Sequence, residues 1–328
     1  MSRKLLSYTA LGLILGNAAI ADVPKVAVDI APVHSLVSRV MEGVGSPKLI
    51  IPAGASPHEY SLRPSEAKSL QDADMVIWMG EDLAPWMENS IEKLAKNAEV
   101  ITLLEASETK LLDFREGALF EEHDHGDHDD HDDHDDHDKD HDDHDDHDDH
   151  DDHAGHDHGE HDPHAWLSIE NAQTWLNLVA GKLSAADPEN AGVYFGNAAA
   201  ARSEIEELSK EVNSILDPVR GRNFVVFHDA YQYFETSFDF PASGAISLGD
   251  ATDPSASRIA EIQGRVREEG INCVLSEPQY NPNLVETVLE GTDAKTGVID
   301  PLGVNLEPGP KLYGDLIRNM AKSLAGCL

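Results

Sequence analysis

Basic residues are scarce in this chain: 24 Lys and Arg stand against 62 Asp and Glu, for a formal net charge of −38. That balance argues against nucleic acid or anionic lipid as a partner and makes cations the natural ligand class. Cysteine is scarcer still, with only Cys273 and Cys327 and no Cys-x-x-Cys spacing. Beyond the first 21 residues no apolar run approaches the roughly 20 residues that a membrane-spanning helix needs. Nor does any cysteine stand near residue 21 to carry a lipid anchor.

The chain opens with Arg3 and Lys4, an apolar run from Leu5 to Gly16, and the small-residue pattern Ala19-Ile20-Ala21. This reads as a secretory signal at 1–21, cut after Ala21, and predicts a soluble periplasmic protein. Export places Cys273 and Cys327 in an oxidising compartment, where a disulfide is the default expectation. It would tie the C-terminus to a strand near 271–275 and stabilise the fold by roughly 4 kcal/mol. The rival reading makes both thiols metal ligands, but Cys327 stands one residue from the end.

What the chain has in abundance is histidine between Glu121 and Asp162, in a run of Asp-Asp-His triplets. This tract holds 23 Asp and Glu, a single base (Lys139), and 14 of the 18 histidines, from His123 to His161. So little apolar surface cannot offset the entropy of ordering the chain, which predicts a disordered, solvated loop. A solubilising linker would need only acids. Histidine at a fixed spacing adds imidazole nitrogen to carboxylate oxygen, a ligand set that suits zinc and, less selectively, nickel and copper.

Outside the tract, short β-branched runs alternate with helical patterns: 25–29, 48–51, 75–78 and 100–103, with helices from about Ser35, from Pro64 and after Ala84. A second series has strands at 223–227, 245–248, 273–275 and 298–299, with helices near 257–269 and 283–289. Such alternation predicts an α/β fold of two lobes, each a parallel sheet flanked by helices. The N-terminal lobe spans 22–186, with the loop at 121–162 inside it, and the C-terminal lobe spans 218–328. Between them Asp187-Pro188-Glu189 reads as a helix start. About 29 residues at 1.5 Å each give a rigid strut roughly 43 Å long. Two helices broken near Gly192 or Gly196 are the alternative.

Four histidines lie outside the tract. His58, His164 and His228 fall where a parallel sheet presents ligands, beyond the carboxyl ends of strands or in the loops that follow. A lone histidine there is usually structural; three in a chain already marked for metal make a site. His34 reads as a helix-start or packing residue. The fourth position of a tetrahedron falls to water or to Asp300, which follows an apolar run. Three histidines and an open position also describe a zinc hydrolase. The ligands here come from both lobes, with no His-Glu-x-x-His helix and no evident general base, so no enzymatic activity is expected.

Five motifs then carry a resemblance: 55–64 (Ala-Ser-Pro-His-Glu-Tyr-Ser-Leu-Arg-Pro), 162–168 (Asp-Pro-His-Ala-Trp-Leu-Ser), 187–191 (Asp-Pro-Glu-Asn-Ala), 228–231 (His-Asp-Ala-Tyr) and 276–279 (Ser-Glu-Pro-Gln). In these the chain resembles the cluster A-I solute-binding proteins of metal ABC transporters. It is most similar to the ZnuA branch, periplasmic zinc-binding proteins, in its His-rich loop and cysteine pair. The resemblance covers essentially the whole mature chain. It implies a TroA-like fold, two α/β lobes on a long backbone helix, acting as a monomer with a membrane ABC permease as partner. Zn2+ would be the transported ligand, held in the cleft by His58, His164 and His228, with the loop as an auxiliary collector or sensor. In manganese-binding relatives a carboxylate takes the place of His228, and an aspartate at the place of Asp300 also binds. A third imidazole shifts the preference toward zinc. A receptor for manganese or another divalent metal, and a zinc buffer without a transporter, are the alternatives. One departure is Pro57, where some relatives have a glutamate ligand; Glu59 follows the histidine instead, and its side chain is expected to point elsewhere.

Overall fold

The alternation of short apolar runs and amphipathic segments produces two four-stranded sheets, parallel throughout. A computed structural model describes residues 23–115, 120, 161–247, 255–268, 270–280 and 283–328. The signal segment with its cleavage point, and all of the His/Asp tract before His161, lie outside these residues.

The first half contains β1 (Val26–Val28), α1 (Ala31–Val40), β2 (Lys48–Leu49), α2 (Pro64–Gln71), β3 (Met75–Trp78), α3 (Pro85–Leu94), β4 (Glu99–Thr102) and α4 (Ile169–Ala186). The long helix α5 (Ala191–Leu216) follows. The second half contains β5 (Phe224–His228), α6 (Gln232–Phe238), β6 (Ala245–Ser247), α7 (Ala256–Glu268), β7 (Cys273–Ser276), α8 (Asn283–Leu289), β8 (Lys295–Val298) and α9 (Leu312–Cys327). Strand orders are β2-β1-β3-β4 and β6-β5-β7-β8, so the two halves repeat one topology. In both, the first strand lies inside the sheet and the chain reverses its direction of travel beside it. Ligands gather at the carboxyl ends of strands around such a switch point.

Most boundaries shift by one or two residues from the sequence expectation, and some of the differences have a plain local cause. Helix α1 starts at Ala31 rather than Ser35, because Pro32 sits in its first turn, where proline's fixed φ and missing N–H suit a helix start. Strand β8 is Lys295–Val298 rather than 298–299, pairing Cys273 with Lys295 and Ser276 with Val298. Its Lys295 and Thr296 are exposed and polar, as befits an edge strand, and give no apolar run to read. The last residue expected in β6, Leu248, is outside the described residues. Helix α5 passes Gly192 and Gly196 unbroken and is about 39 Å long at 1.5 Å per residue. Its entry is the short 3-10 turn Pro188–Asn190, and Asp187 does not cap a backbone N–H with its side chain. Instead its buried carboxylate accepts from Asn190 Nδ2 at 2.7 Å and from the Tyr194 hydroxyl at 2.8 Å.

The core explains why the helix acts as a strut. On β5, Phe224 and Val226 face one way and Val225 and Phe227 the other, as the two-residue period of a strand requires. The first face belongs to a hydrophobic cluster that runs without a break from β1 and β3 through α1, α4, α5 and α9. The second face belongs to a smaller cluster with Ile262, Val266 and Val274. Both halves thus share one core, in which α5 packs on α4, α9 and α1. Cys273 and Cys327 are joined in a disulfide with Cα atoms 5.8 Å apart, fastening the end of α9 to β7. Gly297 on β8 makes room for it: a Cβ there would meet Leu275 Cδ2 at 3.0 Å and Cys327 Cβ at 3.2 Å. Among the described residues no helix is long and apolar enough to cross a membrane.

Candidate metal centre

Three segments that the topology brings to one place each contribute an imidazole. His58 lies in the loop between β2 and α2, which is held from both sides: Trp86 Nε1 donates to the carbonyl of Pro57 at 2.8 Å, and the Tyr60 hydroxyl donates to Glu66, in the first turn of α2, at 2.9 Å. His164 precedes the 3-10 turn Ala165–Leu167, which Ser168 ends by capping α4, its hydroxyl accepting the Asn171 N–H at 3.2 Å. Trp166 in that turn is buried and donates across to Pro301 of the second half at 2.9 Å. His228 is the last residue of β5.

One potential ligand atom from each of His58, His164 and His228 lies within 4.8 Å of the others, the first histidine half-buried and the other two buried. The rings approach edgewise, with centroids 5.5 Å apart for His58 and His164 and 5.3 Å apart for His164 and His228. They line a cavity of about 20 Å³ together with Trp166, Gln279 and Tyr280. That is room for one ion or a water-sized occupant, far below the 300 Å³ or more of ordinary small-molecule sites. Among the described residues this is the one group of three or more His, Cys, Asp or Glu close enough to hold a metal.

Two carboxylates that sequence reasoning did not assign complete the arrangement. Asp162 Oδ1 lies 2.7 Å from His164 Nδ1 and also accepts the backbone N–H of His164 at 2.9 Å. Glu277 Oε1 lies 2.6 Å from His228 Nδ1. Both acids are buried, with side chains 2 % and 1 % exposed. A carboxylate on Nδ1 makes that nitrogen the donor and presents Nε2 as a lone-pair ligand, while fixing the ring plane. The signals were there: Asp-x-His spacing at 162–164, and an acid directly after the apolar strand 273–276. Glu277 also sets the surroundings of Tyr231, whose hydroxyl is pushed well above the ordinary phenol range by burial and then by the Glu277 charge.

The remaining sequence candidates fall elsewhere. His34 is buried in the first turn of α1, with Nε2 3.2 Å from the carbonyl of Pro47 and Nδ1 3.4 Å from the Ser38 hydroxyl. Burial holds its imidazole below the usual range. Asp300 is not brought into the histidine group. Its oxygens accept the backbone N–H groups of Leu302, Gly303 and Val304 at 3.1, 2.9 and 2.7 Å, making it the cap of a turn. Pro57 is buried beside His58, and Glu59 is exposed.

Residues 26–327 match the family model of ZnuA, the zinc-uptake complex component A, periplasmic. The chain is 47% identical over 326 residues to a high-affinity zinc uptake system protein ZnuA of Paracoccus denitrificans, covering 98% of each chain. It is 46% identical over 314 residues to the protein of that name from Brucella abortus, covering 95% of this chain and 94% of the relative. Among solved structures the fold is similar to a ZnuA crystal structure at a TM-score of 0.72 and 19% identity, covering 93% of this chain and 99% of that one. It is also similar to FpvC from Pseudomonas aeruginosa in complex with Mn2+, at a TM-score of 0.72 and 19% identity, covering 93% and 98%. Two parallel sheets on a long helix, the inter-half histidine group and the full-length match agree: the chain belongs to the ZnuA family, the periplasmic zinc-binding components of zinc-uptake systems.

Proposed function

We propose that His58, His164 and His228 together capture one Zn2+ between the two halves, and that the loaded protein delivers it to an ABC permease in the membrane. The observation that carries this reading is the convergence of three imidazoles on a cavity of ion size. Zinc favours four-coordinate nitrogen-rich sites, and a water completes the tetrahedron where Asp300 is engaged by its own turn. Family membership supports the transporter partner and the periplasmic setting, reached after removal of residues 1–21. The protein acts as a monomeric carrier and turns nothing over.

The His/Asp tract would serve as an auxiliary collector: its solvated ligands must be ordered for each ion they bind, so they hold zinc more weakly than the preorganised histidines. Metal content after purification without added metal tests both parts. The chain lacking residues 123–161 is expected to retain one zinc, and the same chain carrying His58→Ala, His164→Ala and His228→Ala none. Stoichiometric zinc in the triple variant would show that the site is misassigned.

A further inference from the structure

The segment that leaves β4 and the one that returns at His161 both cross to the second half beside His228. The Leu112 N–H donates to the Tyr233 hydroxyl at 2.9 Å, and that hydroxyl donates to the carbonyl of Asp162 at 3.0 Å. Arg115 goes deepest. Its Nε donates to Asp229 Oδ2 at 2.9 Å, its Nη2 also meets Asp229 Oδ1, and Nη1 and Nη2 donate to the Glu235 oxygens at 2.8 and 3.0 Å. The Phe120 ring covers the guanidinium at 3.5 Å. Four of the five N–H donors of a rigid fork are thereby engaged.

A buried group of three charges is a poor source of net stability, because removing them from water cancels most of their attraction. Its location gives the better account. Asp229 directly follows His228, and Glu235 stands on α6, so the fork grips both ends of the turn that closes β5. It grips that turn from the half of the chain that supplies His58 and His164.

We propose that Arg115 is a positioning residue for the metal site: by fastening the His228 turn of the second half to the first, it fixes the third imidazole against the other two and keeps the cavity to the size of a four-coordinate ion. This rests on the reading that the three histidines hold the metal. Beyond three nitrogens, a cavity of about 20 Å³ offers little room for more than one small further ligand, which suits tetrahedral zinc better than the six-coordinate, oxygen-rich shell of manganese or magnesium. Loosening the fork therefore weakens zinc binding and blunts selectivity.

The test titrates the full chain with Zn2+, Mn2+ and Co2+, whose visible absorption is strong when four-coordinate and weak when six-coordinate. The signal is read as the part lost in the variant carrying His58→Ala, His164→Ala and His228→Ala. Arg115→Lys keeps a cation beside both acids but cannot reproduce the fork. It is expected to lower zinc affinity by about 10- to 100-fold, narrow the zinc-to-manganese ratio, and weaken the Co2+ band. Where Arg115→Lys fails to fold, as judged by circular dichroism, the triple variant Arg115→Met, Asp229→Asn, Glu235→Gln removes the charge without stranding a carboxylate, and the same results are expected. A folded variant with unchanged zinc affinity and Co2+ band overturns the role of Arg115 alone. Wild-type signals that survive loss of the three histidines overturn the histidine assignment, and this inference with it.

Discussion

Replacing Glu277 by Gln isolates the contribution of a carboxylate that bonds a ring nitrogen of His228 and is not one of the three converging ligands. Its Oε1 sits 2.6 Å from His228 Nδ1. Across the imidazole and a Zn–N bond of about 2.0 Å, the carboxylate charge lies roughly 6.5 Å from a bound ion. At an effective dielectric constant of about 20, a single negative charge and a dication at that distance attract by roughly 5 kcal/mol. Not all of this reaches the binding constant: Gln keeps an oxygen that can accept from Nδ1, and the metal-free protein no longer carries a buried carboxylate that has lost its hydration. Outer partners of metal-bound histidines typically contribute 10- to 100-fold in affinity, or about 1.4 to 2.7 kcal/mol. Glu277→Gln is therefore expected to raise the zinc dissociation constant by about 10- to 100-fold, at the lower part of the Coulomb figure. Competition with a chromogenic chelator for the first equivalent of zinc, at fixed salt, measures it. A constant within about twofold of wild type would refute the idea that this carboxylate supplies counter-charge through the ring.

Two further perturbations probe the frame around the site. Burial holds the His34 imidazole below its ordinary value of 6.5, so the folded state binds fewer protons there than the unfolded chain. That stability is present above pH 6.5 and lost as the pH falls through the lowered folded value. His34→Gln, which can still donate to Pro47, is expected to show a shallower loss of urea stability between pH 7 and 5 than wild type; parallel curves would contradict it. Cys327→Ser opens a loop of sequence separation 54. In the chain-entropy model this costs about 4 kcal/mol, read as a lower urea midpoint, while zinc affinity stays unchanged because neither cysteine adjoins the histidines. An unchanged midpoint would refute the entropic account.

The parts of the fold legible in sequence were those with one dominant local signal. Met75–Trp78 is four consecutive buried apolar residues, and its bounds were read without error. The breaker-free stretch after Asp187 gave α5, since two isolated glycines cost too little to interrupt a helix packed along its length. Polar edge strands such as β8 gave no signal, because their place is set by backbone pairing with β7. The three histidines could be picked out as the few standing outside the tract, two in loops and one at the end of a strand, and the structure brings them together. Their carboxylate partners left only a faint trace among dozens of other acids, because Asp162 and Glu277 gain their role only when folding sets them 2.7 and 2.6 Å from a ring nitrogen. Arg115 was hidden further: it stands beside the loudest low-complexity stretch in the chain, and its partners are more than a hundred residues away.

The core that runs unbroken through α1, α4, α5 and α9 has a consequence for recognition. Halves that share one interior are braced against swinging apart like jaws, so access to the histidines is set by the side chains at the rim of the cavity. At that rim Tyr280 stacks on Phe227 and leans over His228, so it is the side chain best placed to govern exchange at the site.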